Sequence, residues 1–455
     1  MFSVDGRRVV VVGAARSGVA AAELLVSRGA HVVLTETKNQ FEGAERLRRA
    51  GVRLELGGHR RETLLDADLI VLSPGVPPTQ AYVAEARAAG IPVVGEVELA
   101  SRWLEGRIVA ITGTKGKSTT TTLVGRMLRE GGLRATVGGN IGVPLSSQVA
   151  ETAPDVIHVV EVSSFQLETT EQFRPWVAVL LNFSPDHLDR HATVEAYAAA
   201  KARIFANQQP EDWAVINVDD PAALSLAGGR ARRVALSPSG RATEGIVIAP
   251  DAVVRRRGGT ETTLVPLVAV RLIGRHLLAD VAAAAAVADI AGVDPEAMTR
   301  AVEGFTGLEH ALEPVATIQD VAFVNDSKAT NVEAAERAIE SFERGLVVIL
   351  GGRFKGGDFG RLRGPLVARQ ARVVAIGEAR PLIRDALEDA VDVREAATLD
   401  EAVRAAFTLA PPGGTVLLAP ACASFDMFPD YAARGREFKE AVARLAQELR
   451  SLREQ

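Results

Sequence analysis

The segment Ile111-Thr-Gly-Thr-Lys-Gly-Lys-Ser-Thr119 sits between an apolar run and a helical pattern. Its glycines let backbone N–H groups turn inward, and the N-terminus of the following helix adds positive potential, so phosphates fit there. In that reading Lys117 reaches the β- and γ-phosphates of a nucleotide and Ser118 ligates Mg2+. The strict eight-residue phosphate-loop pattern asks for glycine at position 111, where this chain has Ile111, so the loop is a shortened variant. Glu161 ends the apolar run Val156–Val162, and a carboxylate at a strand end beside such a loop is well placed as a Mg2+ ligand. Asp186-His-Leu-Asp-Arg-His191 packs two His and two Asp into six residues after the next apolar run. Alone it reads as a solvated charged turn; in this company it reads as a metal or phosphate site.

Lysine is scarce. It occurs at positions 38, 115, 117, 201, 328, 355 and 439, and almost every other basic residue is arginine. Arginine cannot replace lysine where a compact ammonium or a nucleophilic amine is needed. Lys201 lies on an alanine-rich helical pattern within Tyr197–Phe205. It is either a surface charge or an amine modified to a carbamate, which would turn a cation into an anionic metal ligand. Lys328 lies in Asn325-Asp-Ser-Lys-Ala-Thr-Asn331, and Lys355 in Leu350-Gly-Gly-Arg-Phe-Lys-Gly-Gly-Asp358. Pro420-Ala-Cys-Ala-Ser-Phe-Asp426 is a third polar segment of the same kind. All three follow apolar runs, at the carboxyl ends of strands, where open α/β sheets place ligands. Two lysines there suggest a substrate with more than one carboxylate.

Gly13-Ala-Ala-Arg-Ser-Gly18 is similar to a dinucleotide fingerprint, with Ala15 in place of the middle glycine and Glu36 at the distance of a ribose ligand. The Ala15 methyl hinders a pyrophosphate, so another nucleotide on this sheet edge is favoured over NAD, with a purely structural turn as the remaining option.

These residues need elements to hold them. Arg8–Val12, His31–Thr35, Asp68–Leu72 and Ile91–Val94 read as strands, with helices over Val19–Ser27 and Gln80–Ala89. Ile108–Thr112, Val156–Val162 and Val177–Leu181 read as strands of a second unit, with helices from Lys117 to Glu130 and over Leu277–Ala291. The Arg-, Gly- and Ser-rich stretch Gly228–Thr263 predicts short strands and exposed loops. Val321–Asn325, Leu346–Leu350, Arg372–Ile376 and Thr415–Leu418 predict strands of a third unit, closed by a helix over Arg436–Arg450. Alternating strands and helices imply covered parallel sheets, here in three α/β units with boundaries near residues 104 and 306.

Composition agrees. The chain has 455 residues, enough for two to four domains of about 100–200 residues each. Lys+Arg 52 against Asp+Glu 57 leaves −5, so no global basic field exists to hold nucleic acid. No apolar run reaches the ~18 residues of a membrane span. The N-terminal apolar stretch runs straight into a glycine turn, unlike a signal peptide. A lone Cys422 excludes an internal disulfide framework and a cysteine zinc site. A cytoplasmic enzyme, with no nucleic-acid or membrane partner, is expected.

Taken in this order, the motifs resemble the Mur ligase family of cytoplasmic cell-wall enzymes over essentially the whole chain. Asn325–Asn331 and Pro420–Asp426 resemble the members that add D-glutamate. The resemblance implies a Rossmann-like N-terminal domain (1–104), a P-loop ATPase-like central domain with a parallel sheet (105–306) and a Rossmann-like C-terminal domain (307–455). It implies ATP and Mg2+ as cofactors, UDP-N-acetylmuramoyl-L-alanine and D-glutamate as substrates, and a monomer. The reaction would run through an acyl phosphate attacked by the amino acid's amine.

It also implies roles. Gly113, Thr114, Lys115, Gly116, Lys117, Ser118, Thr119 and His276 would bind ATP. Ser118, Glu161, His187 and carbamylated Lys201 would hold metal, and Lys117, His187, Lys201 and Lys328 would be catalytic. Ala15, Arg16, Ser17, Glu36, Thr37, Lys38, Ser73, Pro74, Gly75, Asn140 and Gln166 would contact the UDP substrate. Lys328, Thr330, Lys355, Ser424 and Tyr431 would hold D-glutamate, with Tyr431 standing where the family often has Phe.

Leu277 and Asp280 stand where the family usually has Asn, and Ala311 where it has Arg. Losing an arginine that faces phosphate costs about 1.5–3 kcal/mol, so weakened ATP affinity is expected. Arg353 stands where a relative carries an acid. The competing readings are another amide ligase of the family, a weakened UDP-sugar-binding relative, and an NAD oxidoreductase resting on Gly13–Gly18 alone.

Overall fold

The computed structural model describes residues 2–186, 190–272 and 277–453. It forms two compact units, one of residues up to Val270 and from 277 to Gly304, the other from Phe305 onward together with Arg271 and Leu272.

The first unit holds two sheets. β1 (Arg8–Val12), β2 (His31–Glu36), β3 (Arg53–Leu56), β4 (Leu69–Leu72) and β5 (Val93–Gly95) form a parallel sheet in the order β3-β2-β1-β4-β5. Side chains alternate across a strand. Val9 and Val11 therefore enter one core with Leu25 and Leu34, while Val10 and Val12 enter another with Ile70 and Leu72. Both faces are covered, which is why the strands read as unbroken apolar runs.

The second sheet contains β6 (Arg107–Thr112), β7 (Ala135–Gly139), β8 (Ile157–Glu161), β9 (Val177–Leu180), β10 (Trp213–Asn217), β11 (Arg232–Ser237), β12 (Gly245–Ile248), β13 (Ala252–Arg257) and β14 (Thr260–Pro266). Their order is β14-β13-β12-β11-β10-β9-β6-β8-β7. The sheet is parallel from β7 to β12, and β13 and β14 extend it as an antiparallel ribbon. The helix Leu277–Ile290 packs on the helix Lys117–Glu130. Val281 to Ala288 are all buried, and their small side chains let the backbones approach closely.

In the second unit β15 (Glu313–Ile318), β16 (Val321–Asn325), β17 (Leu346–Gly351), β18 (Arg372–Ile376), β19 (Val393–Glu395) and β20 (Thr415–Leu418) take the order β15-β16-β20-β17-β18-β19. Only the β15 edge is antiparallel. Val348, Leu350 and Leu417 fill one face, and Val347, Ile349 and Leu418 the other.

Some elements differ from expectation. β3, β7, β15 and β19 were not predicted, being short edge strands or runs broken by glycine and polar residues, and the interior strand β10 (Trp213–Asn217) was missed although it is an apolar run. The Gly228–Thr263 stretch forms short strands as expected, because its valines and isoleucines supply one apolar face. The terminal helix begins at Tyr431, five residues ahead of the predicted start. Among the described residues no helix is long and apolar enough to cross a membrane.

Candidate active site

The loop between β6 and the helix Lys117–Glu130 is held from several sides. Gly116 has φ +80°, and a Cβ there would stand 2.1 Å from Asp280 Oδ1, so glycine is required. Asn182, just past β9, accepts from the Thr114 and Lys115 N–H groups at 3.0 and 2.9 Å and donates to Lys115 O at 3.1 Å. Thr114 Oγ1 donates to Ser184 O at 3.0 Å and lies 3.2 Å from the Tyr197 hydroxyl. Lys117 Nζ donates to Gly113 O and Thr114 O, both at 3.0 Å. No side chain caps the helix start, and the positive end of the helix dipole favours an anion there.

Ser118 Oγ donates to Glu161 Oε2 at 2.7 Å. Asn140 donates through Nδ2 to Glu161 Oε1 at 2.7 Å and through its backbone N–H to Glu161 O at 2.9 Å. A hydroxyl and a carboxylate together make an oxygen donor set that suits Mg2+. Lys201 Nζ donates to Gly113 O at 2.8 Å and stands 4.7 Å from the centre of the Tyr197 ring. Lys201 is buried, which rules out the surface-charge reading. Burial, and then the Lys117 cation, push its amine down to about 7, against the pull of Asp186 and Glu161. A large neutral fraction is the form that adds to CO2. His187 and His276 lie outside the described residues. Among the described residues no three His, Cys, Asp or Glu side chains gather around one point.

His191 is buried in a chain of contacts, its Nδ1 3.2 Å from Glu168 Oε1 and its Nε2 3.0 Å from Ser164 Oγ. Arg190 pairs with the same Glu168. The described end of the Asp186–His191 motif therefore braces the short helix Ser164–Leu167. Gln166 sits in that helix, and its side-chain carbonyl accepts from Ser163 in a capping box, which leaves its amide NH2 for other partners.

In the first sheet the predicted residues gather at the carboxyl ends of β1, β2 and β4. Gly13 has φ +94°, and a Cβ on Gly18 would stand 1.9 Å from Gly13 O, so this turn needs both glycines. Ala15 precedes the helix Arg16–Ser27, and Arg16 donates to Gly142 O. Small-molecule sites are clefts of about 300–1,000 Å³; here one of ≈ 750 Å³ is lined by Ala15, Arg16, Glu23, Glu42, Arg46 and Ser147, among others. Glu36 Oε2 accepts from Ala14 N–H at 2.7 Å, and Oε1 from Thr37 and Lys38 at 2.9 and 3.1 Å. Burial opposes its ionisation, but those hydrogen bonds outweigh it and hold the carboxyl below its ordinary value. Glu36 thus clamps the glycine turn, a role the ribose reading did not foresee. Ser73 is buried beside Gly13, and its hydroxyl has no hydrogen-bond partner among the described residues, while Pro74 is half-buried and Gly75 exposed.

In the second unit Lys328 and Lys355 are exposed, Thr330 is half-buried, Ser424 is buried and Tyr431 is 41% exposed. Their loops follow β16, β17 and β20. The loops are laced together: Ala421 N–H donates to Ala329 O at 2.9 Å, and Arg353 and Ala423 exchange backbone bonds at 2.9 and 3.0 Å. Arg353 pairs with Glu378. Burial pushes the Asp326 carboxyl up to about 7, against the Leu312 N–H and Lys328. Asn182, Tyr197, Asp326 and Arg434 were missed as positioning groups. For Asn182 the available signal was a lone amide directly after the apolar run Val177–Leu181.

The unusual residues are placed as follows. Asp280 is buried under Gly116, and burial raises its carboxyl well above the ordinary range, with the nearby Thr120 hydroxyl opposing. A neutral carboxyl has nearly the shape of the asparagine amide and also carries a donor. Leu277 and Ala311 are half-buried.

Three family models match the chain: "Mur ligase MurD-like, N-terminal domain" over 7–95, "Mur ligase middle domain" over 111–288 and "Mur ligase, glutamate ligase domain" over 312–422. The chain is 44% identical over 451 residues to the UDP-N-acetylmuramoylalanine–D-glutamate ligase of Koribacter versatilis, covering 98% of this chain and 99% of that protein. It is also 44% identical over 445 residues to the protein of that name from Desulfosudis oleivorans, covering 97% of each. Among solved structures, UDP-N-acetylmuramate-alanine ligase from Thermotoga maritima superposes with a TM-score of 0.61 at 19% identity, over 96% of this chain and 99% of that one. The MurF ligase from the same organism, in complex with ADP, gives 0.60 at 16% identity, over 97% and 96%. These structural likenesses speak for the fold.

Proposed function

The chain belongs to the Mur ligase family, and from that premise we propose that it joins D-glutamate to UDP-N-acetylmuramoyl-L-alanine at the expense of ATP. The observation that carries this reading is the end-to-end likeness, at 44% identity, to ligases named for that reaction. The pairing of Ser118 with Glu161 beside the glycine loop supports it at the level of chemistry.

A carboxylate is a poor acyl donor, so the terminal phosphoryl group of ATP passes to the substrate carboxylate. The amine of D-glutamate attacks the acyl phosphate, and the tetrahedral intermediate collapses to an amide and phosphate. Lys117 neutralises charge on the phosphates. Bound Mg2+ supplies further charge neutralisation at the transferred group. Ser118 and Glu161 would hold one ion; Glu161, His187 and carbamylated Lys201 would hold a second. Gly113, Thr114, Lys115, Gly116, Thr119 and His276 complete the ATP site.

Asn140 and Gln166 contact the muramoyl part of the substrate. The turn 15–17, Glu36–Lys38 and Ser73–Gly75 take the uridine and pyrophosphate. Lys328, Thr330, Lys355, Ser424 and Tyr431 take D-glutamate. Domain boundaries are placed near 104 and 306, and the enzyme is read as a monomer.

The test is phosphate release from ATP, Mg2+ and UDP-N-acetylmuramoyl-L-alanine with each of several amino acids. Release that requires D-glutamate is expected. Release driven equally well by L-alanine or a diamino acid would sink the reading.

A further inference from the structure

Three strand-end loops of the second unit meet at one side chain. Arg434 is 1% exposed. Its Nε donates to Ser327 Oγ and its Nη2 to Ser327 O, both at 2.9 Å. Its Nη1 donates to Cys422 O at 3.1 Å and reaches Gly351 O at 3.4 Å. Ser327 Oγ in turn donates to Tyr431 O at 2.7 Å. Ser327 follows β16, Gly351 ends β17 and Cys422 follows β20, so the guanidinium spans all three. The neighbouring backbone makes room for it. A Cβ on Gly352 would stand 3.1 Å from Nη1 and 2.2 Å from Ala423 O.

Every one of these acceptors is a neutral oxygen. Burial pushes the guanidinium down to about 10, with Cys422 and Asp426 opposing, and it stays cationic at neutral pH. A buried cation whose hydrogen bonds, among the described residues, go to neutral oxygens is a costly device for packing, and an apolar side chain would fill the space at less cost. The charge and its fan of donors are therefore read as serving the loops. Ser327 is next to Lys328, Gly351 lies four residues before Lys355, and Cys422 lies two before Ser424.

We propose that Arg434 is a positioning residue for the incoming amino acid: it locks the loops carrying Lys328, Lys355 and Ser424 into one arrangement and sets a positive charge beneath them. The loop clamp follows from the geometry alone; the link to a dicarboxylate amino acid rests on the function proposed above.

The experiment compares the full-length wild type with Arg434→Lys and Ser327→Ala. Amide hydrogen exchange and steady-state kinetics are read on each. In Arg434→Lys, exchange in 326–330, 351–357 and 421–424 should rise together by about tenfold, the scale of one lost charge-assisted hydrogen bond, with β18 unchanged. The KM for D-glutamate should rise by about tenfold with the KM for ATP unchanged. Ser327→Ala removes one acceptor and should give the same pattern at roughly threefold. Exchange that rises only beside the substitution, or uniformly through the unit, overturns the clamp, as does an unchanged KM for D-glutamate in a folded variant. Should Arg434→Lys fail to fold, Ser327→Ala decides on the same two readouts. Should the wild type show no D-glutamate-dependent turnover, the proposed function fails while exchange still decides the clamp.

Discussion

Ser118 Oγ and Glu161 Oε2 share a 2.7 Å hydrogen bond that joins the first turn of the helix Lys117–Glu130 to the end of β8. The other Glu161 oxygen is held by Asn140 at the same distance. Glu161→Gln keeps the shape but loses the charge, and its NH2 faces a donor. The variant should fold like wild type, lose about 100-fold or more in kcat, and need higher Mg2+ for half-maximal rate. Phosphate release measured across a Mg2+ titration checks this, and an unchanged Mg2+ dependence would remove Glu161 from the metal site.

Lys201 is buried against Gly113 O with an amine pushed down to about 7, which favours carbamate formation. Lys201→Ala should slow turnover severely, and acetate or propionate should restore part of the rate by standing in for the carbamate. Bicarbonate should have no effect on the variant. Full activity in the alanine variant would end the carbamate assignment.

Asp280 is buried under the Gly116 turn, and burial raises its carboxyl well above the ordinary range. Its pKa is raised on folding, so the folded state binds its proton more tightly and stability falls as pH climbs above the ordinary carboxylate value. Asp280→Asn removes that dependence. Its melting temperature should exceed wild type by a few degrees at pH 8, with the gap closing toward pH 4, as about 1 kcal/mol corresponds to roughly 2–4 °C in a domain of this size. A constant gap across pH would show that the carboxyl is ionised in the fold.

Glu96 is fully buried where its carboxylate accepts from Ser146 N–H at 2.6 Å. Burial pushes it up to about 6, only partly offset by Ser146. The sign is the same as for Asp280: its contribution is full below pH 4.5 and is lost as pH rises through 6. The loss is roughly 2 kcal/mol. Glu96→Gln keeps an acceptor for Ser146 and should melt higher than wild type at pH 7.5 but not at pH 4.5, by calorimetry. Equal melting curves at both pH values would contradict the raised value.

Much of this was legible beforehand. The unbroken apolar runs of β1, β6, β16, β18 and β20 announced strands covered on both faces, and a helix from about Lys117 to Glu130 could be read from the glycine turn and the Gly-Lys-Ser at its start. Short edge strands such as β3 and β19 were not legible, because half of their residues face water and carry no periodic signal. The same limit hid the β15 edge, whose antiparallel pairing with β16 depends on a turn at Gln319 and Asp320, both with positive φ.

Residue type and order along the chain determined which chemistry is available: the glycine loop with Lys117 and Ser118, the carboxylate of Glu161, and the lysines kept in a chain that otherwise prefers arginine. Those features are local, so one dimension suffices to see them. The tertiary structure alone decided that Lys201 is buried, that Glu36 is spent on Ala14, that Asn182 clamps the glycine loop before the helix Lys117–Glu130 and that Arg434 gathers three loops. Each depends on a partner tens of residues away or more, and on the loss of water around both groups, which no run of neighbouring residues encodes.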